Sequence, residues 1–535
     1  MKKIFQYMMV VLSTVLMASC NTDELDIEQQ GVLTTNEYKT ANDHEVEQFI
    51  SAVYAEIYGD SYQSVFVGQV ASYRSLMYEL NRMGAETANY YAYNESADAG
   101  TYSKIWSYYY RTIYWCNMII ENLPANDVAS ANVKSQVLAE ARTIRAICMM
   151  YLVQLYGNPP LADHIMTGKE GNTPAADSWA FIESELASAA ESLPTKAGLG
   201  GQSAIGGRLT REAAYAYLGK AQLWQKKYTE AASTLYNKVI ATGKYALYSN
   251  FEDYNSSISD FSDENIWEFD FNEDTNSAQS QEGCFDIACF SPVPSVWFDG
   301  VHCSPLMAWG MGANASADFA KFLEKHDGKD KVRYTSSLMD VCTASTKAIV
   351  TPPIAECDGY FKMKDFTYAS DFVGQLPYFY SLRNTAYMRY SEVLLNYAEA
   401  VAQGGTEGAL SGLEALNMVR RRAGLEDAPA LDMNNETYGV KAERRAELFA
   451  EGHRFIDLVR WGDAATELKD CGKKAYTCSD LGASYDTGQG FSMYFGPVTV
   501  TSSETGGQGF KSGKNELFPI PTTEVSGVLK QNPGW

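Results

Sequence analysis

Residues 440–462 read VKAERRAELFAEGHRFIDLVRWG, and their periodicity predicts one amphipathic helix that stops at Gly462. Leu448, Gly452, Phe455 and Val459 are spaced 4, 3 and 4 apart, which puts them on one helical face. Phe449 and Ile456 widen that stripe to the breadth of a core-facing helix. Glu443, Glu447 and Glu451 follow one another a turn apart. Like charges in that register repel unless cations lie among them. Arg444, Arg445, Arg454 and Arg460 are close in sequence, and Arg420, Arg421 and Arg422 stand just upstream. Two readings follow: a structural ion-pair network, or a carboxylate pair for acid–base catalysis. A catalytic acid needs a cleft and a perturbed pKa, whereas a field of guanidinium groups holds carboxylates ionised. The structural reading is preferred.

The same stretch carries a longer pattern, ER-x-x-EL-x-x-EG-x-R-x-x-DL-x-RWG. It falls on Glu443, Arg444, Glu447, Leu448, Glu451, Gly452, Arg454, Asp457, Leu458, Arg460, Trp461 and Gly462. In this the chain resembles the SusD/RagB family, the surface glycan-binding lipoproteins of Bacteroidetes. In that family the segment is scaffold, so the resemblance marks the fold and not the ligand site. MRYSEVLLNYAEA at 388–400, NMVRRRAG at 417–424, LFPIP at 517–521 and QNPGW at 531–535 resemble the family as well.

The chain has 535 residues, 46% of them apolar, enough for a large core. Length alone suggests about three domains; the pattern argues for one helical body with insertions. A formal net charge of -23 speaks against nucleic acid, whose phosphates call for a basic patch. Met1, Lys2 and Lys3 precede an apolar run to Met17, and Ala18, Ser19 and Cys20 close it. Residues 1–19 therefore read as a secretory leader too short to span a membrane. Leu16-Met17-Ala18-Ser19-Cys20 resembles a bacterial lipobox, which makes Cys20 the lipidation site, and Asp23-Glu24 just after it resemble the surface-export signal of Bacteroidetes lipoproteins, which implies an outer-membrane anchor facing the cell exterior. Residues 20–40 are polar and read as a tether.

Helical periodicity runs through 42–58, 103–123, 132–156 and 177–193, the third stopped by Gly157-Asn158-Pro159-Pro160. Between 210 and 243, Tyr215, Leu218, Gly219, Tyr228, Glu230 and Ala231 fall at tetratricopeptide spacings, with Gly219 and Ala231 small enough for two antiparallel helices to close up. Later helices are expected at 385–403, 407–423 and 440–462. From 249 to 384 the helical period fades; residues 265–271 alternate as a strand, and 318–326 alone look helical. A second irregular segment, 471–514, holds Phe491, Met493, Phe495, Val498 and Val500, which suggest a hairpin. The expected fold is mostly α: a tetratricopeptide-like helix-pair scaffold over 41–248 and 385–470, an irregular ligand-binding insertion at 249–384, and a hairpin-containing C-terminal segment at 471–535, all one domain with minor β.

The ten cysteines show no metal spacing. Cys116 and Cys148 lie in apolar helical runs and read as buried thiols. Cys284/Cys289, Cys342/Cys357 and Cys471/Cys478 are loop pairs whose bridging the sequence leaves open. Asp270 to Asp274 opens like a calcium loop but has Thr275 and Gln281 where glycine and an acid belong, so no metal is expected. No nucleophile elbow, P-loop or dinucleotide fingerprint appears, and neither an enzymatic activity nor a cofactor is expected. Loop aromatics remain. A pyranose presents a face of C–H bonds to a flat ring, and its hydroxyls need polar partners at the edge. Tyr91, Tyr93 and Asn94, before the second helix, and Trp297 and Trp309, in the insertion, supply that mixture and are the candidate ligand-binding residues. Tyr360-Phe361 and Tyr378-Phe379-Tyr380 are reserves. The resemblance implies capture of a glycan and its delivery to a SusC-like TonB-dependent transporter, or, as in RagB-type members, capture of a peptide.

Overall fold

The computed structural model describes residues 35–58, 93–197, 207–269, 315–340, 384–479 and 499–535, with short segments between 296 and 381 and between 483 and 495. Helices dominate, and most pack as antiparallel neighbours. Asp43–Tyr58, Gly100–Asn122, Ala131–Tyr156 and Ala175–Ser192 come first, followed by Arg211–Trp224 and Tyr228–Lys238, then Tyr390–Ala402 and Gly412–Arg422. Their starts are written in local chemistry. Ser130, Thr210 and Ser411 stand at N-caps, and their hydroxyls accept from the amides of Val133, Ala213 and Glu414. The expected helix pair at 210–243 is present. A Cβ at Gly219 would lie 2.5 Å from the Leu235 side chain, so only glycine lets the two helices meet there.

Three expectations about the tether and the helices are corrected. Residues 20–40 are not a tether to their end, because Thr35–Thr40 is helical and Tyr38 is buried against Phe49. Residues 385–389 are not the first turn of a helix. They form the strand Thr385–Arg389, antiparallel to Asn265–Phe269, and the helix begins at Tyr390. That strand pair closes the neck of the insertion, and tertiary pairing here overrides the helical pattern that continues from 390. Finally, the 440–462 helix is broken into Val440–Glu447 and Arg454–Trp461. Ala450 (φ 62°) and Gly452 (φ 79°) take left-handed backbone between them. The break sends consecutive side chains into different cores. Leu448 joins Phe455 in the main core, while Phe449 stacks on Phe319 of the helix Ala317–His326 at 3.8 Å between ring centres.

The C-terminal signature acts as a clasp. Phe518 donates its amide to Leu155 O at 2.7 Å, and Asn532 Nδ2 donates to Tyr156 O at 2.9 Å and Phe518 O at 2.7 Å. These donors satisfy carbonyls that the helix Ala131–Tyr156 leaves open at its end. Trp535 Nε1 donates to Lys514 O and Leu517 O, and the Lys514 ammonium lies 4.0 Å from its ring centre.

The hairpin expected around 491–500 has other partners. Ser492–Phe495 pairs with Ala483–Asp486, and Thr499–Glu504 with Lys474–Ser479. Both also reach into the insertion: Ala348–Ile349 adds to the first pair, with Val296–Trp297 beyond it, and Ile354–Ala355 adds to the second. The two irregular segments are therefore woven into shared sheets. Their short strands supply too few ladder bonds to stand alone.

Candidate functional site

The site begins with what holds the insertion in place. Glu443, Glu447 and Glu451 converge with Glu264 and Asp327 on five cations: Arg333, Arg389, Arg420, Arg422 and Lys364. Arg389 Nη1 lies 2.8 Å from Glu264 Oε1 and 2.7 Å from Glu447 Oε1, and its Nη2 donates to the Glu447 carbonyl at 2.8 Å. Arg422 bonds both Glu264 and Glu447. Arg333, on the insertion helix Val332–Ser337, grips Asp327 and Glu443 at 2.8 and 2.6 Å. The broken helix matters here. With its carbonyl outside a continuous helical ladder, Glu447 O accepts from Arg389 and Lys364 together.

Charges balance, five against five, which a buried cluster requires. Burial pushes the Glu447 carboxyl up, but Arg422, Arg389 and Arg333 more than reverse this and hold it at about 2. Glu451 and Asp327 are likewise held well below the ordinary range, burial being overcome by Arg389 and Lys364 for the one and by Arg333 for the other. His453 is packed: burial lowers it to about 4, against the pull of Glu392. Glu447 and Glu451 are thus held ionised at neutral pH by the cations around them, as scaffold and not as acid–base catalysts. The arginines next to the glutamates in sequence serve elsewhere. Arg444 and Arg460 bind Asp457, Arg445 binds Asp318 and Arg454 binds Glu467. Arg333 and Arg389, distant in sequence, carried no signal beyond their charge.

Of the residues expected to bind ligand, Tyr91 and Trp309 lie outside the described residues, as does the lipidation candidate Cys20. Tyr93 is corrected. It is 4% exposed, sits at φ 55°, and packs edge-on to Phe510 at 5.5 Å, so its ring belongs to the core. Asn94 beside it is exposed, and its Oδ1 accepts from the Gln508 amide at 3.4 Å. The loop before the second long helix is thereby tied to the C-terminal segment, to which Asp98 also bonds through Thr522 at 2.6 Å. Trp297 lies in the short strand Val296–Trp297, opposite Ala348, which is itself opposite Tyr494. The reserves are strand residues: Tyr360–Lys362 pairs with Leu338–Asp340, and Tyr378–Ser381 with Phe372–Gln375. The calcium-like loop and the pairs Cys284/Cys289 and Cys342/Cys357 lie outside the described residues. Cys116 and Cys148 are buried thiols, and burial pushes Cys116 up to about 12. Among the described residues no group of acids, histidines and cysteines is arranged to hold a metal, and no helix is long and apolar enough to cross a membrane.

Comparison with known proteins agrees with this scaffold. Residues 351–535 match the family model described as the SusD family, and residues 25–223 match one described as starch-binding, associating with the outer membrane. The chain belongs to the SusD/RagB family. A SusD-like protein of Formosa agariphila is 23% identical over 406 residues, 70% of this chain and 73% of that protein. Among solved SusD-like structures, a laminarin-binding one superposes with a TM-score of 0.71 at 22% identity, over 92% of this chain and 100% of its own. Surface glycan-binding protein A from Bacteroides fluxus gives 0.68 at 23%, again over 92% and 100%. The Bacteroides thetaiotaomicron protein of that name, in complex with laminarihexaose, gives 0.69 at 18% over 92% and 100%. These likenesses establish the SusD-like fold.

Proposed function

We propose that this chain captures a polysaccharide or oligosaccharide at the cell surface without cleaving it. It then passes the glycan to a SusC-like TonB-dependent outer-membrane transporter, which it caps as a lid. Cys20 carries the lipid that anchors it to the outer membrane. The match of residues 25–223 to the family model described as starch-binding, associating with the outer membrane, carries this reading. The laminarin-binding relative and the laminarihexaose complex support it. So does the scaffold: its central acids are locked to arginines and offer no proton donor or base. Tyr91, Asn94, Trp297 and Trp309 are the proposed ligand contacts, and Tyr93 is withdrawn because its ring is buried.

The test is affinity electrophoresis of the soluble form, beginning at Asn21, against plant, microbial and host glycans with laminarin among them, and calorimetry on each hit. Retardation without release of reducing ends is expected. Alanine at Tyr91, Trp297 or Trp309 should then weaken binding about thirtyfold, as loss of an aromatic anchor does at a binding hot spot. Unchanged affinity in all three variants removes those residues from the site. Retardation by no glycan, with peptides co-purifying instead, replaces the glycan with a peptide ligand.

A further inference from the structure

Glu268 lies within the strand Asn265–Phe269, opposite Ala386 in the pairing with Thr385–Arg389. Through these two strands the chain leaves the helical body at 270 and returns to it at 384. The residue is fully buried, at 0% exposure. Its Oε2 accepts from three donors: the Phe261 amide at 3.2 Å, Asn265 Nδ2 at 2.8 Å and Asn384 Nδ2 at 3.3 Å. Oε1 is buried and has no hydrogen-bond partner among the described residues. Asn384, where the chain returns, is held a second time by its amide, which donates to Asp260 Oδ1 at 3.0 Å. Phe261 takes φ 55° to present its amide, an uncommon backbone for an aromatic residue. One carboxyl oxygen thus ties together the turn before the neck, the departing strand and the returning chain.

This carboxyl differs from those of the ion network because, among the described residues, no cation is paired with it. The charged groups around it are otherwise engaged. Lys196 is bound to Asp263 at 2.9 Å, and its own amide goes to Glu212 of the helix Arg211–Trp224. Asp260 holds the Asn384 amide, and at the base of the pair Glu264 and Arg389 hold one another. A buried carboxylate without a counter-charge is far more costly than a buried neutral acid.

We propose that Glu268 is a protonation-controlled latch on the neck of the 270–383 insertion. The neutral carboxyl closes the neck, and ionisation favours opening of the strand pair, which hydrates the carboxylate. The sign is set by burial, which pushes the closed-state carboxyl up to about 7, with the bonds from Phe261, Asn384 and Asn265 and the charge of Lys196 opposing only in part. In an opened, hydrated neck the group returns to its ordinary value of 4.5. Between these values the closed neck binds more protons than the open one, so rising pH favours opening. Below 4.5 both forms are neutral and above about 7 both are ionised, which leaves the equilibrium level outside the window.

Hydrogen exchange of the full chain from pH 4.5 to 8.5, corrected for intrinsic amide rates, reads this directly. The opening constant of peptides spanning 265–269 and 385–389 should rise up to tenfold per pH unit across the window and level off above about 7, roughly two orders of magnitude in all. Glu268→Gln, neutral at every pH, should flatten the profile at its low-pH level. The helix Ala131–Tyr156 is the internal reference and should show no such rise. A neck opening constant independent of pH in the parent overturns the latch, as does an unaltered pH profile in the glutamine variant. Should that variant not fold, the parent profile decides: a rise that continues past pH 8 also overturns it.

Discussion

Replacing Glu447 by glutamine tests whether the buried charge cluster is structural. The side chain is fully buried. Its Oε1 receives Arg389 and Arg422, and its Oε2 receives Arg333 at 3.2 Å. Glutamine keeps the volume and one acceptor. It removes the charge shared by three guanidinium groups and turns an amide NH2 toward donors. Breaking a buried pair from one side costs about 3–5 kcal/mol, because the other charge is left uncompensated. A second route agrees: lowering the carboxyl from 4.5 to about 2 corresponds to about 3 kcal/mol. Because the folded value is depressed, this stability is fully present above pH 4.5 and is lost as pH falls through about 2. For a chain of 535 residues the entropy of unfolding is roughly 1 kcal/mol per degree. Circular dichroism melts at pH 7 should therefore place Glu447→Gln about 3–5 °C below the parent, and the gap should narrow toward pH 2. A gap under about 1 °C at pH 7, or one unchanged down to pH 3, refutes the reasoning.

Two further substitutions probe the scaffold. Gly219→Ala drives a methyl to 2.5 Å from Leu235 and should cost about 1–3 kcal/mol in urea unfolding, partly recovered by Leu235→Ala in the same chain; parental stability would show that the helices do not meet so closely. Asn532→Ala leaves the carbonyls of Tyr156 and Phe518 without their buried donor and should cost about 1–3 kcal/mol, with exchange quickening at the end of Ala131–Tyr156. Equal protection there in the variant would deny the clasp.

Much of the fold was legible because helices are local. A 3.6-residue period, an N-cap hydroxyl or a small residue at an interhelical contact acts within a few positions, and the helices at 42–58, 132–156 and 210–243 lie where these signals put them. The glutamate stripe announced that cations must surround it, since like charges a turn apart demand this wherever the chain folds. The loop aromatics were legible only as a class. Tyr93 was indistinguishable in sequence from an exposed ring, and its burial depends on Phe510, more than four hundred residues away.

Sequence by itself thus determined the helical scaffold, the need for a neutralised acidic stripe and the family. Tertiary structure alone decided which cations answer it: Arg333 and Arg389 come from the insertion and its neck, and the nearer Arg444 and Arg460 turn to Asp457. It alone decided that residues 385–389 are strand, that the helix expected over 440–462 breaks around Ala450, and that the insertion and C-terminal segment share sheets. The physical reason is range. Helical hydrogen bonds join residues four apart and leave a period in the sequence. Strand pairing and buried ion pairs join residues of any separation, and they are chosen by which partner is near once the chain has closed.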